Sequence, residues 1–431
     1  DSLDPTTREL VKRRESCMGS SYRLFYKRPL NLVKGEGEYL WDAEGNKYLD
    51  AYNNIPSMGH SHPKIVEAVH EQMKKINTHT RYLHENIINY SERLLSLMPK
   101  EIDRAMYMCS GSEANDLALR ICMAYTGGTG ILISQEAYHG NTQLVSAISP
   151  SIGGGQKLLD SVRLVPTPDF YRFGDDAEGF TKWYCDEIQK QIDDMKAHGI
   201  KLACFIADSI FSSDGVLPYP KGFLKAAVDV VHKNGGLFIG DEVQPGFCRS
   251  GDSFWGFLRH GITPDLVTMG KPMANGIPCS GLCGKHEILE AFSEKFPYFN
   301  TFGGNPVSMA AAIAVLDVIE KENVLEHTKT VGADFLKALK EVQAKHGESV
   351  GDARGAGLFI GIEFVKDPES KTPDPELAQL VINKMYEKKI LTSNCGPYGN
   401  VLKVRPPLVF KSEDIDWFVS ALDESLTELN R

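Results

Sequence analysis

From about residue 104 the sequence alternates short apolar runs with amphipathic stretches. The runs at 105–109, 130–134, 161–166, 202–208, 237–241 and 265–269 are predominantly apolar, the pattern of buried strands in a parallel sheet. Between them, Ala114, Leu117, Ala118, Ile121, Cys122 and Tyr125 recur at spacings of three and four, which is one face of a helix. Residues 220–233 predict another helix, ended by Asn234 and Gly235. This alternation predicts an α/β fold whose large domain has a mostly parallel sheet flanked by helices. Beyond residue 306 the texture changes. Helices are predicted over 306–322, 325–346 and 412–429, and the runs at 357–365 and 401–404 read as strands. Residues 32–49, with turns at 35–37 and 44–45, read as a hairpin. The expected division places 1–60 in a small α+β domain, 61–306 in the large domain and 307–431 again in the small one.

Composition narrows the class. With 431 residues the chain has room for two cores, and 42% hydrophobic against 24% charged residues is a globular balance. The longest apolar stretch, 309–319, already contains Asp317 and falls short of the ~20 residues a membrane helix needs. No charged head, apolar run and small-residue cleavage site opens the sequence, so the expectation is a cytoplasmic protein without a membrane partner. A net charge of −10 with only small basic clusters at 12–14 and 27–28 argues against a nucleic-acid partner. The nine cysteines show no C-x-x-C spacing; free thiols are expected, with neither a metal site nor a disulfide framework.

Three constellations carry chemistry. Cys109-Ser110-Gly111-Ser112-Glu113 stands where a strand meets a helix. A glycine there admits close backbone approach, and the helix start offers free N–H groups to an anion; a capping box formed by Ser110 and Glu113 is the alternative. Asp241-Glu242-Val243-Gln244 closes an apolar strand, the edge where α/β sheets bind ligands. An acid there could hold a protonated ring nitrogen, bind a metal or cap a helix. Residues 264–271 form a strand that ends in Lys271, an unusual place for a cation, where desolvation lowers the pKa and readies the amine to attack a carbonyl. The alternative is a surface lysine. An aldehyde cofactor with a phosphate tail needs an anion cradle, an acid for its ring nitrogen and a lysine for its imine. The chain supplies all three.

Asp241-Glu242-Val243-Gln244 with Gly246-Phe247-Cys248-Arg249-Ser250-Gly251 resembles the signature of class III aminotransferases. Gly59-His60-Ser61-His62-Pro63, Ser110-Gly111-Ser112-Glu113-Ala114, Tyr138-His139-Gly140 and Thr301-Phe302-Gly303-Gly304-Asn305-Pro306 match in the same order. The resemblance runs from about residue 20 to the end. It implies the fold-type I architecture, pyridoxal 5′-phosphate (PLP) as cofactor and a homodimer with sites shared across the interface. It further implies Lys271 as the Schiff-base lysine and proton shuttle, and Asp241 as partner of the pyridinium nitrogen. Gln244 falls near the phenolic oxygen, Tyr138 on the ring, and Gly111 and Ser112 on the phosphate, with Thr301 reaching that phosphate from the partner subunit. His60 and His62 are expected to serve the fold.

Within the family the sequence is most similar to the ethanolamine-phosphate phospholyase branch, through Asn53-Asn54, Arg81-Tyr82-Leu83-His84-Glu85-Asn86, Thr167-Pro168-Asp169-Phe170-Tyr171-Arg172, Met269-Gly270-Lys271-Pro272-Met273 and Tyr298-Phe299-Asn300-Thr301. Lys403 stands where many transaminases place an arginine for the substrate carboxylate, and lysine lacks that planar fork. Asp208-Ser209 replaces their Glu-Pro and the phospholyase branch's Glu-Ser. Pro245 and Cys248 depart from the phospholyase pattern. The implied substrate is a small amine without an α-carboxylate but with a phosphorus anion, such as an aminoethyl phosphate or a hydroxylated aminoethylphosphonate. Elimination of phosphate or water, with ammonia release, is the implied reaction, and Arg81, Lys403 and Arg405 are candidates for the anion. The alternatives are an amine transaminase using pyruvate, glyoxylate or 2-oxoglutarate, a nicotinamide enzyme suggested by Gly355-x-Gly357-x-x-x-Gly361, and a non-catalytic scaffold.

Overall fold

The structure, a computed structural model, describes residues 3–430. Strands β1 (Leu32–Glu36), β2 (Tyr39–Asp42) and β3 (Lys47–Asp50) form the expected hairpin run. The chain reverses at Gly37 (φ 58°) and Gly45 (φ 85°), a left-handed conformation that glycine adopts without a Cβ penalty.

The core is a seven-stranded sheet of β4 (Arg104–Met108), β5 (Gly130–Ser134), β6 (Val162–Val165), β7 (Leu202–Ala207), β8 (Leu237–Asp241), β9 (Leu266–Met269) and β10 (Ser280–Gly284). Their order is β4-β10-β9-β8-β7-β5-β6. Neighbours run parallel except at β10, which opposes both β4 and β9. Strands β5, β7, β8 and β9 are buried throughout, as their apolar runs require. Strand β10 lies outside the predicted runs. Its sequence, Ser-Gly-Leu-Cys-Gly, has little strand propensity, and pairing on both sides makes it a strand.

The helix Gly111–Thr126 covers this sheet through Leu117, Ala118 and Ile121, starts at the N-cap Ser110 and stops at Gly127 in the left-handed region. The helix predicted over 220–233 begins only at Phe223, because Gly222 sits at φ 92°. Parallel strands end at one edge, so the loops after β4, β5, β7, β8 and β9 converge there.

After the helices Pro306–Lys321 and Val324–Lys345 come β11 (Val350–Ala356), β12 (Phe359–Asp367), β13 (Thr372–Pro373), β14 (Ile390–Leu391), β15 (Ser393–Cys395) and β16 (Val401–Val404). They form an antiparallel sheet in the order β11-β12-β16-β15, with β13 on β12. Strand β14 instead pairs parallel with β3, which ties both ends of the chain together. The run Gly355-x-Gly357 lies in the β11–β12 hairpin, so it opens no helix and makes no dinucleotide loop. His60 bonds Asp50 at 2.7 Å and His62 faces Glu322 at 3.5 Å, both as fold contacts. All nine cysteines are free. Among the described residues no helix is long and apolar enough to cross a membrane.

Candidate active site

At the carboxyl edge of the large sheet lies a cavity of about 240 Å³. Its lining includes Gly111, Ser112, Tyr138, Asp208, Asp241, Gln244 and Lys271, so six of the predicted cofactor residues meet in one place. One end is the start of the helix Gly111–Thr126. Ser110 caps it by accepting from Glu113 N at 3.2 Å, while the Glu113 carboxylate accepts from Ser110 Oγ at 3.0 Å and Cys109 N at 3.1 Å. The Ser110 cap and the anion cradle therefore coexist: the cap fixes the turn, Glu113 reaches Cys109 N in place of the Ser110 N of a full capping box, and the first N–H groups have no intrahelical acceptor. Gly140 is required for the approach of the next loop. A Cβ there would lie 2.7 Å from Ser112 Cα, and Asn141 N donates to Ser112 Oγ at 3.1 Å.

Asp241 is buried, and its carboxylate accepts three hydrogen bonds. Oδ2 accepts from His139 Nδ1 at 2.7 Å and Asn115 Nδ2 at 3.0 Å, and Oδ1 accepts from Val243 N at 3.1 Å. Asn115 is oriented in turn by Thr268 Oγ1, which donates to its Oδ1 at 2.6 Å. Sequence reasoning gave neither Asn115 nor His139 a role. The available signal was a polar residue, Asn115, directly beside the apolar face of a predicted helix. Glu242 points elsewhere. It accepts from Gly256 N and Phe257 N, both at 2.8 Å, and burial pushes its carboxyl up to about 8.

Lys271 is the second residue after β9. Burial, followed by the charge of Arg405, pulls its amine down to about 8 against the opposing pull of Asp241 and Asp208. Burial and the neighbouring Arg405 likewise bring Lys403, on β16, down to about 7. Arg405, next after β16, is 7% exposed. Its Nη1 donates to Gln244 Oε1, its guanidinium lies 4.9 Å from the Tyr52 ring centre, and its Nε has no partner. Among the described residues no carboxylate forms an ion pair with Lys271, Lys403 or Arg405. The buried Arg249, also unassigned from sequence, donates to the carbonyls of Leu358 and Pro406 and so holds the backbone beside Arg405.

Four predicted residues are outside the cavity lining: Lys403 and Arg405, and also Thr301 and Arg81. Thr301 is exposed on the loop before the helix Pro306–Lys321, and Arg81 stacks 4.0 Å from the Phe299 ring centre. The two loops meet each other, and they expose Tyr82, Leu83, Phe299 and Phe302.

Residues 25–426 match the family model of class III aminotransferases. The chain belongs to that family. A Drosophila melanogaster protein named alanine–glyoxylate aminotransferase 2-like is 39% identical over 431 residues, 97% of this chain and 87% of the relative. A Caenorhabditis elegans ethanolamine-phosphate phospho-lyase homolog 1 is 38% identical over 443 residues, 98% of this chain and 94% of the relative. The solved structure of an Arthrobacter phospholyase in complex with phosphoethanolamine superimposes with a TM-score of 0.94 at 39% identity, covering 97% of this chain and 99% of that one. The architecture is PLP fold-type I, and PLP is the cofactor of this class III chain. The donor set fits it: a helix start for a phosphate, a buried carboxylate held by two donors and a lysine with a lowered pKa share one cavity.

Proposed function

We propose that this class III enzyme is a lyase for a small primary amine that carries a phosphorus oxyanion and no α-carboxylate. The observation that carries the reading is the pair Lys403 and Arg405, basic residues at β16 beside the cavity with no carboxylate partner. A buried guanidinium without an acid is costly unless an anion completes it. A tetrahedral dianion suits one point charge plus one fork.

Gly111 and Ser112 would hold the cofactor phosphate, Tyr138 would cover the ring, Asp241 would face the ring nitrogen, and Gln244 would serve the ring oxygen. Bound PLP supplies an electron sink for the carbon that bears the amine. Lys271 would bind the cofactor, and its Nζ would take the proton from that carbon; its lowered pKa makes the free amine available near neutral pH. Lys403 and Arg405 hold the oxyanion at the far end. The group on the adjacent carbon then leaves: phosphate from an aminoethyl phosphate, or water from a hydroxylated aminoethylphosphonate. Hydrolysis releases ammonia and an aldehyde, and no keto acid takes part. Thr301, with Arg81 nearby, completes the partner subunit's site in a homodimer.

The enzyme mixed with ethanolamine phosphate and no acceptor tests the reaction. Multiple turnovers of ammonia, acetaldehyde and phosphate are expected. One-to-one conversion of the cofactor to its amine form, with turnover restored only by pyruvate, glyoxylate or 2-oxoglutarate, would establish the transaminase instead, the activity in the name of the Drosophila relative.

A further inference from the structure

Gln244 lines the same cavity as Lys271 and Asp241, and its amide is gripped at both ends. Oε1 accepts from Arg405 Nη1 and, at 3.3 Å, from Asn54 Nδ2. Nε2 donates to Ser212 Oγ at 3.0 Å. The proton of Ser212 is committed elsewhere, since Oγ donates to Asp208 Oδ2 at 2.7 Å. Asp208 is fixed in turn by Ile210 N at 2.9 Å and Ser212 N at 3.1 Å. A hydroxyl has one proton to give, so Ser212 can only accept from Gln244, and only the N–H side of the amide can face it. A flipped amide would also set its NH2 group against two donors, Arg405 and Asn54. One orientation of Gln244 survives. It leaves the second N–H of Nε2 without a protein partner among the described residues, on a side chain that lines the cavity.

We propose that Ser212 is a positioning residue for the cofactor's ring oxygen: by taking one N–H of Gln244 it aims the other at that oxygen. This rests on the placement of Gln244 beside the ring oxygen given above. Without Ser212 the amide keeps its oxygen on Arg405 and Asn54 but pivots about that point, because a terminal amide torsion has broad wells. The free N–H then loses its direction. A donor aimed at the ring oxygen favours its deprotonated form. When the aim is lost, the oxygen holds its proton to higher pH.

The visible band of the PLP-loaded enzyme reads this without turnover, since its pH midpoint reports how firmly the proton beside the ring oxygen is held. Gln244→Leu, which has no N–H to offer, is expected to raise that midpoint by about one pH unit or more. Ser212→Ala removes one oxygen and no charge, and should raise it by about half a unit or more. Ser212→Cys keeps the shape with a weak acceptor and should move it in the same direction; it serves if Ser212→Ala fails to fold. If Ser212 acts through Gln244, adding Ser212→Ala to Gln244→Leu changes nothing further. A merely structural role would lower stability or PLP retention and leave the midpoint in place. A Gln244→Leu spectrum that matches the wild type at every pH from 6 to 9 overturns both this inference and the placement of Gln244. A shifted Gln244→Leu with both Ser212 variants at the wild-type midpoint, or a Ser212→Ala shift that persists in the double variant, overturns the inference alone. Neither result bears on the lyase reading, which acceptor-free turnover decides.

Discussion

His139 Nδ1 lies 2.7 Å from Asp241 Oδ2, the same oxygen that Asn115 Nδ2 reaches at 3.0 Å. A carboxylate only accepts, so both neighbours donate, and such charge-assisted bonds are worth about 1.5–3 kcal/mol each. They hold a buried acid in place. Asp241→Asn puts an amide against two donors and removes the charge. It is expected to lower kcat about 100-fold or more, measured at saturating cofactor with the circular dichroism of the fold unchanged. A variant within a few-fold of wild type would show that Asp241 has no part in the chemistry.

Gly140→Ala tests the cradle. The added Cβ would press on Ser112 Cα at 2.7 Å, from a residue at φ 142°. Overpacking of this kind costs about 1–3 kcal/mol, so both the denaturation midpoint of the apoprotein and its affinity for PLP should fall. Gly154→Ala is the control. A Cβ there meets nothing within 4 Å, and a stability change beyond about 0.5 kcal/mol would contradict the packing argument.

On the proposed reading, Lys403 sets a pH dependence for anion binding. Its amine titrates near 7, lowered first by burial and then by Arg405. An anion bound against it raises that pKa, so binding takes up a proton. Affinity is therefore full below about 7 and declines as the pH rises above it, by at most about tenfold per unit for one proton. Sulfate does not titrate in this range and is the suitable probe. At pH 8, calorimetry of the holoenzyme in buffers of different ionisation enthalpy should show proton uptake, and Lys403→Met should remove it. Sulfate affinity that is constant from pH 6 to 9 would remove Lys403 from the anion site.

Leu83 is 96% exposed and Phe302 69%, on the two loops that carry Arg81 and Thr301. Apolar side chains presented together mark a contact surface, and a two-fold dimer would cover the patch on both copies at once. Phe302→Asp is expected to shift the protein from dimer to monomer in sedimentation and to reduce PLP retention. Wild-type protein that sediments as a fully active monomer would rule out the shared site.

Some of this protein is determined by its sequence alone. Apolar runs mark six strands of the large sheet, because a strand covered on both faces leaves no polar positions. Lys271 and Asp241 stand out because a charge that ends such a run needs a reason. The cradle at Ser110, Gly111 and Ser112 is equally local, since cap, glycine and helix lie within a few residues. Other features belong to the tertiary structure. Strand β10 has weak propensity of its own and exists because β4 and β9 flank it. Gln244 and Arg405 are 161 residues apart in the chain, and no spacing predicts their contact. Whether Asp208 turns toward Ser212 or toward Arg405 is likewise invisible in the sequence, which shows an acid but not its direction. Residue type dictates which chemistry is available, whereas the partner of each charge depends on which distant segments the fold brings within hydrogen-bonding reach.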